Sequence, residues 1–85
     1  MASYNVLIKR SAAKELEALP PTDRRRMAGK IQGLVRDPRP PGVEKLSSQD
    51  RYRLRQGPYR VLYAIDDHAR TVTVVKIGHR RDVYR

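Results

Sequence analysis

The chain has no cysteine, tryptophan or phenylalanine and only two histidines, His68 and His79. Without cysteine there is no disulfide scaffold, no thiolate metal site and no thiol nucleophile, and two histidines are too few for a structural zinc site. No apolar run approaches the roughly 18–20 residues that span a bilayer, and the first residues lack the apolar stretch of a signal peptide. We therefore expect a cytoplasmic protein with no cofactor, no metal and no membrane partner.

Acidic residues are also scarce. The 85 residues include 9 acidic residues and 19 lysines and arginines, which gives a net charge of +10. Fourteen of the basic residues are arginine, whose planar fork binds phosphate through two hydrogen bonds. Such an excess of one sign repels itself and favours an anionic partner. The composition therefore favours a nucleic-acid partner over a merely solvated basic surface.

The hydropathy pattern predicts one small domain over residues 1–85, with the element order β-α-α-β-β-β. The predicted fold is α+β, with a helical hairpin packed on one face of a small twisted, mainly antiparallel sheet. The four strands are predicted over residues 4–9, 51–55, 59–65 and 71–77.

Local signals predict where these elements begin and end. Ser11 and Thr22 are expected to cap the two helices, and the Pro20-Pro21 pair is expected to end the first one. Residues 36–45 are predicted to form a stiff, proline-rich loop, and Gly78 is expected to end the last strand.

A cluster of arginines is the strongest candidate for a functional site. Period-two alternation places Arg53 and Arg55 on the face opposite Tyr52 and Leu54, and no acidic residue lies between residues 51 and 60 to neutralise them. We expect one end of an open sheet face to gather five arginines with a histidine and a tyrosine. These residues are Arg53, Arg55, Arg60, Arg80, Arg81, His79 and Tyr84. The alternative is that alternating arginines form the solvent face of a strand.

Two sequence blocks carry a resemblance that covers nearly the whole chain. The block YRLRQGPYRVLYAI at residues 52–65, followed by VKIGHRRDVY at residues 75–84, resembles the RelE branch of the RelE/ParE toxin superfamily. The resemblance implies a RelE-like α+β domain that acts as the toxin of a type II toxin–antitoxin pair. Such toxins are ribosome-dependent mRNA endoribonucleases.

The resemblance also implies the partners of the chain. They are mRNA, the A site of the 70S ribosome, and a cognate acidic antitoxin that is RelB-like. Toxin and antitoxin can assemble as a heterotetramer.

The resemblance assigns roles residue by residue. The basic positions of the family's second strand fall on Arg53 and Arg55, the arginine after the turn on Arg60, the later arginine on Arg80, and the C-terminal tyrosine on Tyr84. The family's founding members have lysine at the first two of these positions. Because arginine stays protonated, the identity of the general base is open.

The chemistry of the residues fits metal-free RNA cleavage, since RNA carries its own 2′-hydroxyl nucleophile. Arg60 and Arg80 would clamp the phosphate, Tyr84 would stack on a base or move a proton, and His79 is a candidate base. Further basic residues are expected to bind RNA: Arg51, Arg81, Arg24, Arg25, Arg26 and Lys30.

Two alternatives stay open on the sequence alone. One is a ParE-like inhibitor of DNA gyrase with the same fold, and the other is a non-catalytic basic module that binds nucleic acid. A complete set of nuclease residues, including Arg80 and Tyr84, speaks against the first. The small number of aromatic side chains available for base stacking speaks against the second.

Overall fold

The protein forms two helices and five strands in a computed structural model that describes residues 3–46 and 51–79. The strands form one sheet in the order β1-β5-β4-β3-β2, in which β1 runs parallel to β5 and all other neighbours are antiparallel. The predicted α+β fold with a mainly antiparallel sheet is confirmed. The elements are β1 (Asn5–Ile8), α1 (Arg10–Glu17), α2 (Pro21–Gly33), β2 (Glu44–Lys45), β3 (Arg51–Gln56), β4 (Tyr59–Asp66) and β5 (Thr71–His79).

The core lies between the helical pair and one face of the sheet. Alternate residues of β3 are buried, including Tyr52 and Leu54, as the period-two pattern predicts. Met27 and Ile31, one helical turn apart on α2, pack into the same buried cluster, which also contains Tyr63. The opposite face of the sheet carries the arginines of β3.

The helix caps differ from the sequence prediction. Helix α1 begins at Arg10 after Lys9, and α2 begins at Pro21, with no side-chain cap on either helix. Proline suits the first position of a helix because its missing N–H would have no partner there and its φ angle is already helical. Ser11 and Thr22 therefore lie inside the helices rather than capping them. The proline pair follows the end of α1, as predicted, and it also starts α2.

Two strand boundaries also differ. Residues Glu44 and Lys45, predicted to lie in the long loop, form the short strand β2 opposite Arg53 and Tyr52. Gly78 does not end β5, which continues to His79. In both places the partner strand supplies the ladder that fixes the backbone, and local sequence does not carry that information.

Helix α1 covers the part of β5 that β1 leaves unpaired. Strand β1 pairs with β5 only as far as Val74. Beyond it, the Glu15 carboxylate accepts a hydrogen bond from the backbone N–H of Ile77 at 3.0 Å and lies 3.5 Å from the Lys76 ammonium. The sheet edge is thereby blocked by a side chain from the helix.

The loop after α2 is fastened to the sheet at the β4–β5 turn. The Arg39 guanidinium donates two hydrogen bonds to the Asp67 carboxylate, at 2.8 and 3.1 Å, and a third to the Tyr52 hydroxyl at 3.1 Å. The Tyr4 hydroxyl donates to the same carboxylate at 2.7 Å. We call these four residues the clasp.

The hydrogen bonds of the clasp lower the pKa of its carboxyl group. Hydrogen bonds from Arg39 and then from Tyr4 lower the pKa of Asp67 to about 2. Behind the clasp, the Tyr63 hydroxyl donates a buried hydrogen bond of 2.7 Å to the carbonyl of Pro38. Burial, and next the neighbouring Tyr52, raise the pKa of Tyr63. The loop is therefore held at two points on the sheet.

Within the described ranges, no helix is long and apolar enough to cross a membrane.

Candidate nucleic-acid interface

The turn between β3 and β4 brings two arginines face to face. Gly57 has a φ of +59°, which glycine adopts without strain, and the tight turn pairs Arg55 directly with Arg60. Directly opposed side chains on antiparallel strands lie on one face with Cβ atoms about 4.5–5.5 Å apart. The predicted juxtaposition of these two arginines is therefore present.

The two arginines differ in exposure and share a lack of counter-charge. Arg60 is only 8% exposed, whereas Arg55 is exposed. Among residues 3–46 and 51–79, no carboxylate forms an ion pair with either guanidinium. Like charges directly opposite one another destabilise a sheet, so this arrangement costs stability and attracts an anion. We call this pair the arginine end.

Arg53 has a different environment from its neighbours. Its guanidinium forms an ion pair with the carboxylate of Glu44, which strand β2 places directly opposite. No acidic residue lies between residues 51 and 60 of the sequence, and the pairing with Glu44 was not expected because β2 was not predicted. Arg53 is thus held by a protein anion, unlike Arg55 and Arg60.

Arg51 lies at the other end of β3. It is opposite Ala64, and its carbonyl accepts a hydrogen bond of 2.8 Å from the N–H of Leu46. Arg55 lies four positions further along the strand, which corresponds to a distance of about 13 Å. The structure therefore does not bring Arg51 to the arginine end.

His79 lies beside the arginine end but on the other face of the sheet. It is opposite Tyr59, and the two rings meet edge to face with their centroids 6.0 Å apart. Alternation places Tyr59 and His79 on the helix side of the sheet, whereas Arg60 and its partner Gly78 belong to the open side. The register thus places His79, the candidate base, on the face of the sheet away from Arg60.

Three predicted site residues, Arg80, Arg81 and Tyr84, lie outside the described residues, and their placement stays a prediction.

The basic residues of α2 are all exposed. The Arg24 guanidinium donates a hydrogen bond of 3.3 Å to the carbonyl of Glu17 at the end of α1, which is a favourable position for a cation. Arg25 follows it in the first turns of the helix. Arg26 and Lys30 are four residues apart and share one stripe of the helix surface.

A groove of about 340 Å³ connects α2 with the arginine end. It is lined by Lys30, Pro41, Gly42, Leu54 and Arg55. The sequence alone did not indicate this groove, because its walls come from three segments that are distant along the chain.

A second depression, of about 450 Å³, lies at the clasp. There the cation of Arg39 is already neutralised by Asp67. In the described part of the chain, no three histidine or carboxylate side chains are grouped as a metal site would require.

The chain matches known proteins over almost its whole length. The family described as "ParE toxin of type II toxin-antitoxin system, parDE" matches residues 6–84. Toxin RelG of Mycobacterium tuberculosis is 33% identical over 87 residues, which cover 96% of this chain and 97% of RelG.

Solved structures share the fold. The archaeal RelE–RelB complex from Pyrococcus horikoshii contains a chain that matches with a TM-score of 0.83 and 30% identity, covering 94% of this chain and 98% of that one. The toxin–antitoxin complex RelBE2 from Mycobacterium tuberculosis matches with a TM-score of 0.80 and 31% identity, covering 92% and 99%. The similarity extends over sequence and fold together, and the chain belongs to the RelE/ParE family of type II toxin–antitoxin toxins.

Proposed function

We propose that the chain is a ribosome-dependent endoribonuclease, a toxin that stops translation by cutting mRNA in the ribosomal A site. The observation that supports this most is the arginine end, where the nearly buried Arg60 faces Arg55 and neither forms an ion pair with a carboxylate among the described residues. A cation with little water and no protein anion is well suited to a phosphate that gains charge during a reaction.

The proposed reaction uses the RNA as its own nucleophile. The 2′-hydroxyl loses its proton to a base as its oxygen forms a bond to phosphorus, the bond from phosphorus to the 5′-oxygen breaks, and the leaving oxygen takes up a proton. Arg60, with Arg80, stabilises the charge that builds on the phosphate oxygens, and Arg55 orients the phosphodiester. Tyr84 stacks on a base or takes part in proton transfer.

Neither arginine of β3 that matches the family's basic positions serves as the general base. Arginine stays protonated and does not accept the 2′-proton, so Arg53 and Arg55 are not bases. Arg53 also has Glu44 as its ion-pair partner. His79 has a suitable ring, but the strand register places it on the face away from Arg60. We therefore assign these arginines to charge stabilisation and leave His79 as a candidate whose ring would have to reach the site from the sheet edge.

The ribosome supplies what this small chain lacks. A fixed, bent mRNA in the A site provides the in-line geometry that a few arginines alone do not impose on free RNA. The exposed cations Arg24, Arg25 and Arg26 on α2, with Arg51 and Arg81, are proposed to bind RNA around the cut site. This action takes place in the cytoplasm, where the ribosomes are.

The proposed inhibitor is an acidic, RelB-like antitoxin. The two structures described above are toxin–antitoxin complexes, and this chain offers the same type of partner an exposed apolar edge strand with Leu7 and Ile8. A flexible acidic segment would fold on this basic surface, in a complex that can be a heterotetramer.

Inhibition of DNA gyrase is a second candidate, because the matching family is described as a ParE toxin. A translating extract separates the two. We expect the purified protein to produce discrete mRNA cuts by primer extension in the extract and to leave the same naked RNA largely intact. Efficient cutting of naked RNA would instead indicate a free-standing nuclease. Intact mRNA together with trapped gyrase–DNA complexes would indicate the gyrase inhibitor, and binding without either effect would indicate a non-catalytic module.

A further inference from the structure

The groove between α2 and β3 is an opening in the sheet edge. On one side β3 pairs with β4 along its whole length, whereas on its other side, within the described residues, β2 pairs only with Tyr52 and Arg53 and leaves the edge of β3 open from Leu54 onward. The loop before β2 turns away from this edge at Gly42, whose φ of +89° is accessible to glycine. The opening therefore lies between the edge of β3 and the loop that leads into the start of β2.

The walls of the groove are held in place before any ligand arrives. The loop that contributes Pro41 and Gly42 is anchored through the buried hydrogen bond between Tyr63 and Pro38 and through the clasp at Arg39. The floor is Leu54, which is only 3% exposed and belongs to the core. A ligand thus meets a preformed site, which lowers the entropic cost of binding.

The groove combines two cations with an apolar lining. Lys30 and Arg55 are both exposed at its rim, and no carboxylate in residues 3–46 or 51–79 pairs with them. Leu54 and Pro41 supply apolar surface between the charges. Its volume of about 340 Å³ falls in the range of small-ligand sites. A nucleotide unit, with an anionic phosphate and flat apolar faces, matches this arrangement.

An added peptide strand fits the same opening poorly. Only Leu54–Gln56 of β3 lies beyond β2, which is too short for an extended ladder. The facing loop contains Pro40 and Pro41, which have no backbone N–H to donate. The chemistry of the groove therefore favours a phosphodiester over the carboxylates and backbone of an acidic peptide.

The groove is continuous with the arginine end through one residue. Arg55 lines the groove and is also directly opposite Arg60. We propose that the groove binds the nucleotide adjacent to the reacting phosphate, with Lys30 and Arg55 contacting the phosphodiester that follows or precedes the cut. This inference rests on the proposed function, and it assigns Lys30 to the mRNA nucleotide beside the cut, whereas the other cations of α2 are proposed to bind RNA around the site.

The proposal makes a kinetic prediction, because contacts to a neighbouring nucleotide are the same before and during the reaction. Lys30→Ala should lower kcat/KM by roughly tenfold through KM and leave kcat nearly unchanged. Lys30→Arg should retain most of the wild-type value. Lys14→Ala is the matched control, since it removes one exposed lysine charge from α1, away from the groove. Equal losses for Lys30→Ala and Lys14→Ala would overturn the assignment, because they would reflect net charge alone.

A titration without ribosomes tests the groove independently of cleavage. If the wild-type protein does not cut mRNA, the proposed function is refuted, and the titration still tests whether the groove binds a nucleotide. The probe is a single-stranded trinucleotide with a 2′-deoxy sugar at the central position, and the readout is the backbone amide spectrum of the full chain. We expect concentration-dependent shifts at Gly42, Leu54 and Arg55 that Lys30→Ala weakens and Lys14→Ala does not. An absence of shifts there, or shifts produced by a glutamate-rich peptide and not by the trinucleotide, would overturn the proposal.

Discussion

The two ends of the β3–β4 pair use arginine in opposite ways. At the clasp, the Arg39 guanidinium donates hydrogen bonds to the Asp67 carboxylate and to the Tyr52 hydroxyl, and its central carbon lies 5.2 Å from the centre of the Tyr52 ring. Even so, 42% of the Arg39 side chain is exposed. At the arginine end, Arg60 is only 8% exposed and has no carboxylate partner among the described residues. The arginine that stabilises the fold thus differs from the one proposed to bind a ligand in its partners, and low exposure does not mark the stabilising one.

The clasp and the arginine end also differ in what they contribute to stability. An exposed ion pair such as Arg39–Asp67 contributes little by itself, and its value lies in fixing the loop. A poorly hydrated cation without a counter-charge costs stability until an anion arrives. At the arginine end, folding therefore leaves two cations in an electrostatically unfavourable arrangement, and binding of an anion would remove this cost. Such a cost is expected at a functional site.

The largest expected effect is on catalysis at Arg60. Arg60→Gln removes the charge that is proposed to stabilise the transition state and keeps a long polar side chain in the site. We expect single-turnover cleavage on saturated ribosomes to slow on the order of a hundredfold or more. Arg70→Gly is the matched control, because Arg70 lies in the β4–β5 turn at a φ of +55° that glycine accepts.

The control should cleave at a rate near that of the wild type. Similar small losses in Arg60→Gln and Arg70→Gly would contradict the assignment of Arg60, because they would show that each arginine contributes only general electrostatic attraction to RNA. Thermal unfolding of both variants shows whether the loss at Arg60 comes from the fold instead.

The next effect is on stability behind the clasp. Tyr63→Phe deletes the hydroxyl and leaves the buried carbonyl of Pro38 without its donor. Such a loss costs about 1–3 kcal/mol in the free energy of unfolding, measured by urea denaturation. Tyr59→Phe is the control, since within the described residues the Tyr59 hydroxyl forms no hydrogen bond. A loss as large for Tyr59→Phe would show that the measurement reports ring packing rather than the hydrogen bond.

A smaller effect is expected when the clasp is titrated. The pKa of Asp67 is about 2 in the folded chain, below its ordinary value of 3.8. A depressed carboxyl pKa contributes stability that is present above pH ~4 and is lost as the pH falls through ~2. We expect the melting temperature of the wild type to fall more steeply across this window than that of Asp67→Asn. Parallel curves would show that the clasp makes no net contribution.

The smallest effect concerns Arg53, which among the described residues pairs with the carboxylate of Glu44. Glu44→Gln removes this ion pair at the exposed edge, so the stability change should stay below about 1 kcal/mol. The loss of one negative charge beside Arg53 should strengthen binding of a non-cleavable RNA about twofold to fivefold at low salt. Unchanged or weaker binding would show that Arg53 does not face the RNA. Glu17→Gln, at the end of α1, provides the same charge change away from β3.

The sheet was predictable from the sequence where the pattern is local. Period-two alternation identified β3 through Tyr52 and Leu54, and the short Gly57-Pro58 turn implied that Arg55 and Arg60 meet. The helices were found from their apolar spacing, but their starts were placed at Ser11 and Thr22 because capping side chains are the usual signal. Proline at the first position of α2 competes with that signal and determined the start.

What the sequence did not reveal depends on contacts between distant residues. Strand β2 has two residues, too few for any periodicity, so the Glu44–Arg53 pair had no local signature. Arg39 and Asp67 are 28 positions apart and meet only because the loop crosses the sheet. The groove required Lys30 and Arg55 to be placed on one edge. Each of these features follows from tertiary packing that propensities do not encode.

The parallel pairing of β1 with β5 determines when the chain can complete its fold. Asn5 lies opposite Thr71, so the first strand pairs with a strand that is synthesised after β2, β3 and β4. During synthesis, β1 and its apolar residues Leu7 and Ile8 have no strand to pair with, and the closing contact spans a very long loop. Contacts of such high sequence separation slow folding, and exposed strands promote aggregation meanwhile. The completed sheet, and with it the position of Gly78 beside Arg60, therefore forms only after β5 has been made.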